Sequence, residues 1–256
     1  MSDSSNIEWC DASWNCISGC TYVSEGCRHC YSARLTHRLA AMGQTAKYGG
    51  LTVLNKAGDR HFNGKVRCHE DALDIPLRWK KPRRIFVNSM SDLFHRDVPF
   101  AFVDKVFRVI SARPQHTFLV LTKRPERMEK YVTGSVRRPS NVWLGASVED
   151  QASADARIPH LMRCPAAVRW LSVEPMLSPV DIVCGRRTPS PLAPDWVVCG
   201  AESGPGARPM ELDWARRLRD QCQGYSIPFF MKQIVVNGRK VPFEEWPDDL
   251  KVREYP

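Results

Sequence analysis

Six short runs of the chain are almost continuously apolar: RIFVN (84–88), TFLVLT (117–122), NVWLG (141–145), VRWLS (168–172), WVVCG (196–200) and PFFM (228–231). Runs this short, without polar alternation, are what parallel strands covered on both faces require. Between them, segments 99–112 (PFAFVDKVFRVISA), 125–132 (PERMEKYV), 150–164 (DQASADARIPHLMRC) and 211–222 (ELDWARRLRDQC) space their apolar residues near the helical period. Strand then helix, repeated with right-handed crossovers, predicts an α/β fold closing into a full or partial (β/α) barrel.

Each apolar run ends in polar or charged residues: NSMSD (88–92), LTKRP (121–125), ASVED (146–150), SVEP (172–175), GAESG (200–204) and KQ (232–233). In a β/α barrel the carboxyl ends of all strands open on one face, so the six tails are expected to ring one mouth. Residues 43–65, rich in Gly, Thr and Asn, read as an excursion before the second strand, and Pro189, Pro191 and Pro194 mark an insertion before Trp196. The length of 256 residues suits one domain over 1–256, with the partial barrel in 16–236 and a C-terminal extension in 237–256 that reads as a cover or partner surface.

Composition changes this picture little: 43% hydrophobic and 25% charged residues exclude disordered and fibrous classes. No apolar run has membrane-spanning length and the N-terminus lacks signal-peptide features, so no membrane partner is expected and the reading is cytoplasmic. A net charge of +9 makes a nucleic acid or nucleotide a candidate partner. Basic clusters lie at 80–84 (KKPRR), Arg137 and Arg138, Arg186 and Arg187, and 216–219.

Ten cysteines in such a chain point to metal, redox chemistry or burial and not to a disulfide framework. Three of them, Cys20, Cys27 and Cys30, fall in one loop with gaps of six and two residues. A zinc site needs a fourth ligand, for which Cys10, Cys16, His29 and Cys68 are the candidates. A four-iron four-sulfur cluster on three thiolates instead leaves one iron open to an outside ligand.

The loop resembles the cluster-binding loop of radical S-adenosylmethionine enzymes, with six residues in the first gap where that superfamily usually has three, and with His29 and Tyr31 flanking Cys30. Together with IEWCDASWNCISGC, NSMSDLFH, LTKRPERM, LGASVED, LSVEPML, GAESGPGARP and FFMKQ, the chain from Ile7 to Gln233 is also similar to a phage-associated family of unassigned function related to that superfamily. Cys10 and Cys16 stand where that family is expected to have Thr and Pro, so they are not expected as ligands.

The resemblance implies a partial barrel holding a 4Fe-4S cluster on Cys20, Cys27 and Cys30, with S-adenosylmethionine across the strand ends and cleaved reductively to a 5′-deoxyadenosyl radical. Modification or repair of a nucleic acid or nucleotide is the expected reaction, with a flavodoxin or ferredoxin as electron donor. The alternatives are a radical enzyme acting on a peptide or small metabolite, and a zinc-stapled nucleic-acid-binding module. Asn88, Ser89 and Asp92 are expected at the cofactor's amine, and Ser147, Glu149, Glu202, Ser203 and Lys232 elsewhere along it. Glu174, Lys123 and Tyr31 are the candidate catalytic residues, Asp150 is read as a helix N-cap or a mouth carboxylate, and His95 and His116 are read as structural.

Overall fold

The structure, a computed structural model, describes residues 5–135, 139–183, 193–204 and 206–256. Arg137, Arg138, Arg186, Arg187, Pro189 and Pro191 lie outside the described residues. Seven strands form one parallel sheet: β1 (Ala12–Trp14), β2 (Arg84–Val87), β3 (Thr117–Thr122), β4 (Val142–Val148), β5 (Val168–Val173), β6 (Trp196–Gly200) and β7 (Phe229–Gln233). Their order across the sheet is their order along the chain. Helices α1 (Tyr31–Ala41), α2 (Phe100–Ser111), α3 (Pro125–Gly134), α4 (Gln151–Met162) and α5 (Leu212–Gly224) carry the crossovers. A sheet in which every strand neighbours the next one in sequence winds in one direction only, which makes it a partial (β/α) barrel, as the strand and helix pattern predicts.

Three strands run further than their apolar runs. Strand β4 continues through Ser147 to Val148, β5 reaches Val173, and β7 takes in Lys232 and Gln233. The physical reason is that strands at a barrel mouth keep pairing while their inward side chains turn from apolar to polar. Strand β1 has no counterpart among the apolar runs. Its three residues hold the sheet edge by parallel pairing with Ile85, Phe86 and Val87.

The outer layer follows helical periodicity. Phe102, Val103, Val106, Phe107 and Ile110 of α2 are all buried against the sheet in the main core. Asp150 is the N-cap of α4, accepting from the Ser153 N–H at 2.8 Å in a reciprocal capping box.

Inside the curved sheet a second, aromatic cluster forms. Phe86, Leu119, Trp170, Trp196, Val198 and Phe230 face inward, joined by Trp9 from the segment before β1. Gly145 lies directly beside Trp170 in the ladder, and a Cβ at Gly145 would sit 2.4 Å from the indole ring. The missing side chain is therefore the space that Trp170 fills. Gly145→Ala is expected to cost about 1–3 kcal/mol through overpacking, read as a Tm lower by roughly 3–10 °C; an unchanged Tm would show that the indole can move aside.

The C-terminal stretch covers the β7 edge and reaches this inner cluster. Arg253 bridges Phe230 antiparallel, Tyr255 stacks on Trp196 with centroids 5.5 Å apart, and the Trp196 indole N–H donates to the Glu254 carbonyl at 2.8 Å. Lys240 pairs with Glu8, tying the two ends of the described chain together. The excursion at 43–65 holds an antiparallel hairpin, Thr52–Leu54 with Arg60–Phe62. Among the described residues no helix is long and apolar enough to cross a membrane.

Candidate active site at the barrel mouth

Side chains along a strand alternate between faces, so the inward row that builds the aromatic floor continues by steps of two into the mouth. After Phe86 comes Asn88; after Leu119 and Leu121, Lys123; after Gly145, Ser147; after Trp170, Ser172 and Glu174; after Val198, Gly200 and Glu202; after Phe230, Lys232. All except Gly200 line one cavity of about 360 Å³, floored by Trp9 and Phe86. Ser89, Asp92, Ser203 and Tyr31 also line it. Glu149, next in the β4 row, is fully buried and does not reach the cavity wall.

Cys20, Cys27 and Cys30 line the same cavity. Gly19 has φ +89° and a Cβ there would lie 2.0 Å from the Lys65 carbonyl oxygen, so only glycine permits the turn that brings Cys20 to the mouth. Cys27 closes a short 3-10 turn, Glu25–Cys27, and Cys30 is the N-cap of α1. The other candidate thiols stand elsewhere. Cys10 donates to the Ser5 hydroxyl at 3.3 Å, Cys16 is buried against Asn88, and Cys68 pairs with Ile17 in a small ladder; none of the three lines the cavity.

The Cys20 thiol is pushed up to about 12 by burial and then by the Asp92 carboxylate, against the opposing pull of Arg124. Without a metal it is a neutral thiol, and metal binding there must release its proton. Among the described residues no group of three or more His, Cys, Asp or Glu side chains is close enough together to hold a single metal ion.

Three contacts fix the cysteine loop on the strand ends. His29, between Cys27 and Cys30, meets the Glu202 carboxylate at 2.8 Å. Arg208 donates to the same carboxylate at 2.5 and 3.0 Å and to the Glu25 carbonyl at 2.9 Å. Second, Arg124 donates to Asp92 at 2.7 Å and to the Thr21 carbonyl at 3.1 Å, with its guanidinium 3.9 Å from the Cys20 sulfur, and the Thr21 hydroxyl meets His95 Nε2 at 2.6 Å. Third, Gly26 rests on the Lys123–Glu149 pair, where a Cβ would come within 3.0 Å of both side chains.

Asn88 spends its carboxamide oxygen on the backbone N–H groups of Cys16 and Ile17, both at 3.1 Å, while its buried Nδ2 has no hydrogen-bond partner. Asp92 is occupied by Thr122, Arg124 and the Phe94 N–H. Tyr31 is half exposed, its hydroxyl donating to the Ser89 carbonyl at 2.6 Å. Lys232 and Glu174 form an ion pair at 2.6 Å inside the mouth, next to a register shift between Cys199 and Gly200 that pairs Gly200 with Gln233. His95 and His116 are both fully buried, and His95 ties the loop through Thr21.

Burial raises the Glu149 carboxyl, but Lys123 and Arg157, at 2.9 Å each, outweigh it and hold the group near 2. Its folded value lies below the unfolded one of about 4.3, so the stabilisation is complete above about pH 4.3 and is lost as pH falls toward 2. Acid unfolding of Glu149→Gln is expected to show a shallower pH slope than wild type over that window. Equal slopes in chemical denaturation at stepped pH would mean that the pair does not couple to folding.

The model of a protein family described as of unknown function (DUF5131) matches residues 4–242. No curated protein matches. Among solved structures, a mutant of spore photoproduct lyase superposes with a TM-score of 0.54 at 12% identity, covering 91% of this chain and 79% of that one.

Proposed function

The chain belongs to the DUF5131 family of unknown function, and we propose that it is a radical S-adenosylmethionine enzyme acting on a nucleic acid or nucleotide. The observation that carries this is the meeting of three thiols from one loop with the carboxyl ends of the barrel strands in one cavity. Cys20, Cys27 and Cys30 would hold a 4Fe-4S cluster, and S-adenosylmethionine would take the open iron and the mouth. When bound, the cluster supplies one electron that cleaves S-adenosylmethionine to a 5′-deoxyadenosyl radical, with flavodoxin or ferredoxin as the electron source.

The chain's own residues supply position and charge. Asn88, Ser89 and Asp92 line the cavity wall where the cofactor's amine is expected. The Glu174–Lys232 pair places an acceptor and a donor together where a substrate proton can be held. Lys123 carries a positive charge at the wall, held in place by Glu149. Trp9 and Phe86 close the floor, which keeps water away from the reacting end. A cytoplasmic setting and the similarity to phage-associated proteins belong to the same reading. A zinc module is disfavoured because Cys10, Cys16 and Cys68 stand away from the loop and His29 is engaged by Glu202.

The test is anaerobic reconstitution with iron and sulfide, then reduction by dithionite in the presence of S-adenosylmethionine. About four irons per chain and formation of 5′-deoxyadenosine are expected. One zinc per chain and no product would overturn the reading.

A further inference from the structure

The +9 net charge is not spread over the molecule. Between Arg28 and Arg67 the chain carries eight Lys or Arg residues and a single acidic one, Asp59, so this stretch alone accounts for +7. The rest of the chain is nearly balanced. This stretch holds α1 with Arg34 and Arg38, the short helix Thr45–Tyr48 with Lys47, and the hairpin Thr52–Leu54 with Arg60–Phe62, which carries Lys56 and Arg60; α1 and the hairpin are both fastened to the cysteine loop. The Gly64 N–H donates to the Cys20 carbonyl at 3.2 Å, Tyr22 and His61 pack edge to face at 5.8 Å, and Arg60 reaches His37 of α1 at 3.5 Å. His61 and Phe62 line the cavity itself. The basic segment is thus the rim of the mouth. The KKPRR cluster, by contrast, precedes the first residues of β2 and lies at the other end of the barrel.

The strand Thr52–Leu54 of the hairpin exposes two consecutive aliphatic side chains, one on each of its faces, Val53 at 47% and Leu54 at 57%. Exposed apolar side chains beside a concentration of positive charge match proteins that neutralise phosphates and drive an apolar wedge between base steps. An unpaired strand needs no wedge, because its bases are already accessible; a stacked duplex does.

We propose that α1 and the hairpin form a docking surface for duplex DNA, with Leu54, the more exposed of the two side chains, unstacking a base step so that one nucleotide reaches the cavity. This rests on the nucleic-acid part of the proposed function, but docking requires neither reduction nor S-adenosylmethionine, so it is tested separately. Arg38, Lys56 and Lys65 are exposed and outside the cavity lining, and supply the phosphate contacts that can be removed without touching the site.

The experiment is fluorescence anisotropy of a short labelled DNA duplex over a range of salt, with a 2-aminopurine duplex in parallel. Arg38→Glu, Lys56→Glu and Lys65→Glu combined is expected to weaken binding by roughly tenfold or more and to reduce the slope of log K against log salt by about 2–3. Lys80→Glu with Lys81→Glu, equal in kind but at the other end of the barrel, should change little. Val53→Ser with Leu54→Ser should keep the salt slope and lose the 2-aminopurine fluorescence rise. Equal losses from the two sets of charge reversals would overturn the surface. A preference for single strands or RNA would overturn the duplex assignment. Product formation from S-adenosylmethionine without any DNA binding would remove this proposal and leave the radical chemistry standing; DNA binding by a protein that assembles no cluster would do the reverse.

Discussion

Alanine at Cys20, Cys27 or Cys30, one at a time, is expected to leave a folded but colourless protein that forms no 5′-deoxyadenosine. All three thiols line the open cavity, and among the described residues no other cysteine does. Cys27 and Cys30 are only partly buried, so their truncation should cost within about 1 kcal/mol of stability. Cys20 packs more closely against Arg124 and Asp92 and should cost somewhat more. Iron content should fall from about four per chain to a small fraction of that, because two thiolates leave a second iron without a protein ligand. Cys10→Ala and Cys16→Ala are the controls: both remove buried thiols, lower Tm and leave iron content unchanged. Iron and sulfide quantitation with product analysis reads all five variants. Wild-type iron and product in any of the three loop variants would remove that residue from the ligand set.

The second large effect is expected at Glu202. Its carboxylate is nearly buried and takes bonds from both Arg208 and His29, so Glu202→Ala strands a guanidinium and an imidazole at once. Breaking one partner of a fully buried pair costs about 3–5 kcal/mol; Arg208 retains some access to water, which brings the expectation to about 2 kcal/mol. The loss should be local. Amide exchange across residues 25–30 should accelerate roughly 30-fold while the sheet is unaffected, and reconstituted protein should shed iron faster. Glu202→Asp, which keeps the charge but shortens the reach, should restore part of the protection. Unchanged exchange in the loop would show that it holds its shape without this anchor.

Much of this arrangement was legible because each near-continuous apolar run ends in polar or charged residues, although pairing shifts register at Cys199/Gly200. TFLVLT followed by Lys123, and WVVCG followed by Glu202, already announce strands that change from apolar to polar on one face. What alternation cannot show is a side chain bent away from its row. Glu149 has the right parity, yet Arg157, one helical face further on in α4, pulls it behind the wall. Nor does the sequence reveal that His29 and Glu202, 173 residues apart, share a hydrogen bond. Arg208 could have been noticed as the single charge closing the glycine-rich run that begins at Glu202, but nothing local says which carboxylate it meets. Strand β1 escaped because Ala12–Trp14 is too short to make a hydrophobic run and gains its burial from the main core, where Trp14 packs on Phe118, and from the neighbouring strand.

The shared parity of floor and mouth also constrains how such a protein can diversify. Deleting one residue from β4 ahead of Gly145 would turn Gly145 and Ser147 outward together, emptying the seat of Trp170 and stripping the cavity wall in a single event. Folding and chemistry are written on the same register, so insertions and deletions within the strands are lethal to both. The excursion at 43–65 lies outside that register, and its exposed turn at 55–59 can change length, whereas Gly64 and Lys65 hold Cys20 and Gly19 in place. New specificities are therefore to be sought in a resized hairpin turn at the rim, and a library that varies only 55–59 would leave the cysteine loop and the strand ends intact in every member.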